Sequence, residues 1–183
     1  MIYINQRTKP NYDKKLHPHR QCFYASAVMF LSHYLPEAKS SSYYDEYVDD
    51  TEATVGKPGI AEKYFPRLSG RTGAFWQVHQ KAIELRLPSH QVIFHEKISL
   101  AFLRACLASN DPIIYGTTNL GGLPGGHVVV AQKNFGNEGI ITYDPFGDAR
   151  TEYTTHDGEG VVYTEKFLSK NFSGRMIYAK KKA

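Results

Sequence analysis

The chain has 183 residues, 42% hydrophobic and 22% charged, which is enough length and apolar content for one domain with a buried core and excludes a disordered chain. Its net charge of +4 comes without a Lys/Arg stripe interleaved with aromatics, which argues against a nucleic-acid partner. The two cysteines, Cys22 and Cys106, exclude a disulfide framework and a C-x-x-C zinc site, leaving a single bridge between them open.

In chain order, residues 2–6 read as a short strand, and residues 7–20, which carry Pro10 and Pro18, as a loop. Residues 22–34 contain neither Gly nor Pro. Ala25, Val28, Met29 and Ser32 continue the face of Cys22 at helical spacing until Pro36, which predicts a buried helix with the cysteine in its first turn. Residues 43–48 predict a short helix and residues 56–59 a Gly/Pro loop. Trp76, His79, Ile83 and Arg86 mark a helix over 75–87, stopped by Pro88. A weak strand follows over 90–95, then a helix over 99–108 on Leu100, Leu103 and Leu107.

Beyond Pro112 the character changes. Residues 113–117, 127–132 and 139–143 are apolar, β-branched runs bounded by Gly and Asn, so they read as core strands. Residues 161–164 and 176–179 are two further strands around a short helix at 165–170. Helices first and antiparallel strands later make an α+β pattern, taken as a single domain over 1–183. No run approaches transmembrane length, and residues 1–6 lack a basic and then apolar leader. The expectation is synthesis in the cytoplasm, no stable membrane insertion, and export only through a separate membrane-permeabilising partner.

Three positions carry candidate chemistry. A thiol in the first turn of a helix meets free backbone N–H groups and the positive end of the macrodipole, which favour the reactive thiolate. His17, His19 and Arg20 add to that field; the plainer reading of Cys22 is a small buried hydrophobe. His127 follows the glycine-rich run 121–126, where Gly125 and Gly126 clear space beside a cleft, and it opens a buried strand. It suits a general base, or a solvated strand end. Strands 127–132 and 139–143 form a hairpin, and a turn centred near Phe135 or Gly136 makes paired residue numbers sum to about 271 or 272. Asp144 then lies nearly opposite His127 at the sheet rim, able to hold the imidazole. A slip of one residue sends it to the other face. Its plainer reading is a strand-ending Asp before Pro145.

The ordered segments Tyr3-Ile-Asn-Gln6, Gln21-Cys22-Phe-Tyr-Ala-Ser-Ala-Val-Met29, Asp111-Pro-Ile-Ile-Tyr-Gly116, Gly126-His127-Val-Val-Val-Ala131 and Tyr143-Asp144-Pro-Phe-Gly147 resemble the C39-like peptidases of the papain-like cysteine peptidase clan. The resemblance runs from about residue 2 to 148 and includes members that act on bacterial and phage cell walls. It implies a Cys-bearing helix packed on an antiparallel sheet that carries His and Asp, with Cys22, His127 and Asp144 as catalytic triad. It also implies Gln6 as oxyanion-hole donor. Gln21 competes for that role, because the spacer from Arg7 to Gln21 is longer than in many members.

The expected reaction is amide hydrolysis through an acyl-thioester, with no metal or organic cofactor. The preferred substrate is the peptide part of bacterial cell wall, in the manner of a phage lysin, cleaved by a monomer. A protein-processing peptidase or isopeptidase and a catalytically silent binding module on the same fold remain as alternatives. His33, His79, His90, His95 and His156 lack metal-ligand spacing and read as structural or surface residues. The run 121–126 is no phosphate loop, since a strand follows it. Trp76 reads as core, with Tyr43 and Tyr44 as possible groove residues, and Cys106 as a buried inert thiol.

Overall fold

A computed structural model describes residues 1–6, 18–54, 72–109, 111–118 and 126–182, with side chains for all of these except 18–20, 52–54 and 72–75. Helix α1 spans Pro18–Tyr34. Proline suits a first helical position, because the N–H it lacks would have no partner there. The loop expected up to residue 20 therefore ends earlier, and Cys22 opens the second turn of α1 instead of the first. Phe23 through Leu31 are all buried, so this helix is covered on every side. A 3-10 turn at Pro36–Lys39 leads to α2 (Tyr43–Thr54), longer than its pattern suggested. Helix α3 (Thr72–Arg86) precedes β1 (His90–His95). Helix α4 (Leu100–Cys106) is capped by Ser99, which accepts from the Phe102 N–H, and runs into a 3-10 turn at Leu107–Ser109.

The remaining strands are β2 (Ile113–Thr118), β3 (Gly126–Phe135), β4 (Gly139–Tyr143), β5 (Val161–Thr164) and β6 (Phe172–Lys181), with α5 (Glu165–Asn171) between the last two. They form one antiparallel sheet in the order β1-β6-β2-β3-β4-β5. β6 lies between β1 and β2, so pairing carries it through Lys180 and Lys181 beyond its apolar centre. One sheet face, with Ile114, Val128, Val130 and Ile177, packs with residues of α1, α2 and α3. The other, with Tyr115, Val129, Ala131, Ile140 and Met176, packs with Leu103, Leu107 and Leu168.

Residues 1–5 are not a strand. They form an arm fixed by scattered bonds: Ile2 N–H to Ser32 Oγ (2.9 Å), Asn5 Nδ2 to the His156 carbonyl (2.7 Å) and Gln6 N–H to the Pro145 carbonyl (2.9 Å). Pro145 has no N–H to return, so no ladder can form against it.

The β3–β4 hairpin turns at residues 136–138, where Gly136 adopts a positive φ of 51°. Phe135 pairs with Gly139, and a bulge between Ala131 and Lys133 then shifts the register, so that Ala131 pairs with Thr142 and Val130 with Tyr143. The turn lies later than the sequence suggested, and the direct His127–Asp144 pairing is corrected: one step further, Asp144 stands beside Val129. His127 and Val129 alternate onto the same face, so Asp144 still shares a face with His127, displaced by one diagonal.

Candidate active site

Cys22 is carried by α1 and is 6% exposed. One turn later, buried Ser26 donates through Oγ to the Val128 carbonyl at 3.0 Å. Cys22 lies one turn toward the helix start from Ser26, and His127 one residue toward the strand start from Val128. The Ser26 bond thus holds the two ends side by side. His127, 6% exposed, makes a side-chain hydrogen bond with Cys22. Its Nε2 donates to Asp144 Oδ1 at 2.6 Å, which leaves Nδ1 as the nitrogen facing the thiol.

Asp144 is fully buried, not at an open rim as expected. Pro145 ends strand pairing directly after it, and the chain turns so that the Gly147 N–H reaches the Asp144 carbonyl (3.2 Å). The same turn directs the Phe146 N–H to Asp144 Oδ1 at 2.9 Å. Oδ2 accepts from the Tyr163 hydroxyl at 2.5 Å. The Asp144 carbonyl accepts from the Tyr3 hydroxyl at 2.9 Å, and that hydroxyl in turn accepts from the Gly158 N–H at 3.0 Å.

Burial alone would push the His127 pKa down. The adjacent Asp144 charge and hydrogen bond, with a smaller contribution from Cys22, outweigh burial and raise it to about 10. His127 therefore carries a proton at neutral pH. Phe146 and Tyr153 stand edge-on to its ring, with centroids at 6.2 and 6.0 Å. Tyr153 and the preceding Glu152 both adopt positive φ, 62° and 53°, a strained conformation for two successive non-glycine residues.

Gln6 lies at the end of the arm beside Pro145, 8% exposed, and its Oε1 is buried without a hydrogen bond. Gln21 is buried, next to Cys22 in α1. Gly126 opens β3 opposite Thr118. Gly125 and His17 lie outside the described residues, as do the side chains of His19 and Arg20.

Both cysteines are free thiols, so the Cys22–Cys106 bridge left open by sequence is not formed. Trp76 is core, edge-on to Phe23 at 4.7 Å and stacked with Phe94 at 5.7 Å. Tyr44 is buried, and Tyr43 packs against the same core. Among the described residues, no group of three His, Cys, Asp or Glu side chains is placed to hold a metal, and no helix is long and apolar enough to cross a membrane.

Sequence reading missed Ser26, the Phe146 N–H and Tyr163. Ser26 carried a signal, a polar residue four positions after Cys22 within the otherwise apolar stretch 23–31. Tyr163 carried only the alternation of β5, whose buried positions are Val161 and Tyr163.

No family model and no curated protein sequence matches the chain. Among solved structures it is similar to a Bacillus anthracis protein provisionally described as a C39-like peptidase. The TM-score is 0.57 at 15% sequence identity, over 100% of this chain and 95% of that one. At that identity the likeness shows the fold: α+β, with the papain-like arrangement of helices on an antiparallel sheet.

Proposed function

We propose that the protein is a cysteine peptidase in which Cys22 is the nucleophile, His127 the acid and base, and Asp144 the residue that orients His127. The observation that carries this reading is the imidazole of His127, bonded on one side to the Cys22 thiol and on the other, at 2.6 Å, to a buried carboxylate. The fold shared with a protein described as a C39-like peptidase supports it.

The Cys22 sulfur attacks the substrate carbonyl carbon as a thiolate, its proton held by His127. A C–S bond forms and the carbonyl π pair moves to oxygen. The Gln6 side-chain N–H, at the end of the arm, is the donor proposed to hold that oxyanion. When the intermediate collapses, the C–N bond breaks and His127 gives its proton to the departing amine. Water then attacks the thioester with His127 as base, the C–S bond breaks, and the thiolate and imidazolium are restored.

The substrate class we propose is the peptide of bacterial cell wall, since a net charge of +4 favours approach to anionic wall polymers. Cleared zones in gels containing purified wall, lost in Cys22→Ala, are the expected result. Wild-type protein that clears no wall type but cleaves protein chains would replace this substrate with a protein one. Cys22 that alkylates no faster than a free thiol at neutral pH would overturn the enzymatic reading.

A further inference from the structure

We infer that Tyr163 is a positioning residue of the site, a fixed phenolic donor that locks the orientation of Asp144 against His127 and so sets the pH range over which the Cys22–His127 pair works. The inference rests on the reading of Asp144 as the partner of His127.

It follows from counting protons. The Tyr163 oxygen accepts from the Ala149 N–H at 3.2 Å, and it lies 2.5 Å from Asp144 Oδ2. A backbone N–H cannot accept, so the single phenolic proton is directed to the carboxylate. The carboxylate is then filled on both sides. Oδ1 takes His127 and the Phe146 N–H, and Oδ2 takes Tyr163. Asp144 and Tyr163 are both fully buried, where an unpartnered carboxylate oxygen is strongly disfavoured.

Tyr163 stays a donor throughout the working range, because burial and then the Asp144 charge push its ionisation far above that of an ordinary tyrosine. Among the described residues, the titratable groups that feel the Asp144 charge are His127 from β3, Tyr163 from β5, Tyr3 from the arm, and Tyr115 from β2. Toward Asp144, Tyr3 donates to the backbone carbonyl, and the Tyr115 hydroxyl is instead 2.8 Å from Thr142 Oγ1. Of the tyrosines, Tyr163 bonds the carboxylate itself.

A buried carboxylate oxygen left without its donor is disfavoured, so removing the phenol loosens Asp144 and weakens its hold on the protonated His127. The test is Tyr163→Phe, read by the rate of Cys22 alkylation with iodoacetamide as a function of pH. Mass spectrometry of the Cys22 peptide keeps it apart from Cys106. The expected result is a rate about ten- to a hundredfold lower at pH 6, as for loss of a hydrogen bond to a charged group. The acid limb of the profile should move to higher pH, while the variant keeps the circular dichroism of the wild type. A uniform loss with an unshifted limb would make Tyr163 a packing residue and overturn the inference, as would a profile that coincides with wild type.

If Tyr163→Phe does not fold, the unmodified protein still decides. Proton NMR should show a slowly exchanging Tyr163 hydroxyl in contact with the Ala149 N–H, and its absence overturns the assignment. Failure of the enzymatic reading itself looks different, since wild-type Cys22 would then show no enhanced reactivity at any pH.

Discussion

Gly158 offers a sharp test of how Asp144 is held. A Cβ added there would stand 2.1 Å from the Asp144 carbonyl oxygen and 2.9 Å from that of Gly147, both backbone atoms that cannot swing aside. The turn must open by about 1 Å to restore ordinary contact, an overpacking that costs about 1–3 kcal/mol. Two bonds go with it, Asp144 N–H to the Gly158 carbonyl (2.9 Å) and Gly158 N–H to the Tyr3 hydroxyl (3.0 Å). At about 1 kcal/mol each, these bring the expected loss for Gly158→Ala to about 3–5 kcal/mol. The same shift moves Asp144 away from His127, and a misplacement of that size lowers catalysis about a hundredfold. Gly160→Ala is the comparison. Gly160 has a φ of 65°, but its nearest added contact is the Tyr143 ring at 4.0 Å. It should lose only about 1–2 kcal/mol of backbone strain and leave Cys22 reactive. Urea denaturation and Cys22 alkylation measure both variants. Equal stability of the two, or a Gly158→Ala protein with wild-type Cys22 reactivity, would refute the packing argument.

Ser26→Ala removes the buried bond to Val128 and should lower stability by about 1–2 kcal/mol, while slowing Cys22 alkylation more than that loss explains; an unchanged alkylation rate would count against Ser26 as the tie between helix and strand. The His127 pKa is raised on folding, so its contribution to stability is complete below about pH 6.5, the unfolded value, and is lost as pH rises through about 10. The stability gap between wild type and His127→Gln should therefore narrow from pH 6.5 to 10 in urea titrations, and a gap that widens would contradict the Asp144 pairing. Burial pushes the Cys106 thiol pKa up, so Cys106 should label more slowly than Cys22 at pH 7 by peptide mass spectrometry, and the reverse order would undo the assignment of the nucleophile.

Much of the fold was legible because its elements carry their own period. The β2, β4 and β5 runs are short, apolar and bounded by turn residues, and each lies within a residue of its predicted span. What failed depended on partners far away in the chain. The arm at residues 1–5 has the composition of a strand, yet what it meets is a turn containing Pro145, not a strand edge. The start of α1 was hidden because Pro18 reads as a loop residue unless it is known to occupy a first helical position. The hairpin register was missed by one or two because a bulge at Gln132 leaves no mark in the sequence; the face of Asp144 survived because the shift from 271 to the observed sum of 273 keeps its parity. Tyr163 was out of reach for a simpler reason. It meets Asp144 only because β5 pairs with β4, and that pairing is a property of the sheet order.

The two halves of the site are held by different means. Asp144 is fixed by bonds from the arm, from its own turn, and from β5, so the His127 side is anchored at several independent points. The Cys22 side rests on the packing of α1, with the Ser26 bond to the Val128 carbonyl and the Ile2 N–H bond to Ser32 tying the helix to its surroundings. A thiol must travel from the imidazole to a substrate carbonyl and back, whereas the carboxylate has only to hold still while the imidazole gains and loses its proton. With α1 beginning four residues before Cys22, the proposed reactivity of Cys22 rests less on the helix start than on the protonated His127 and the braced carboxylate behind it.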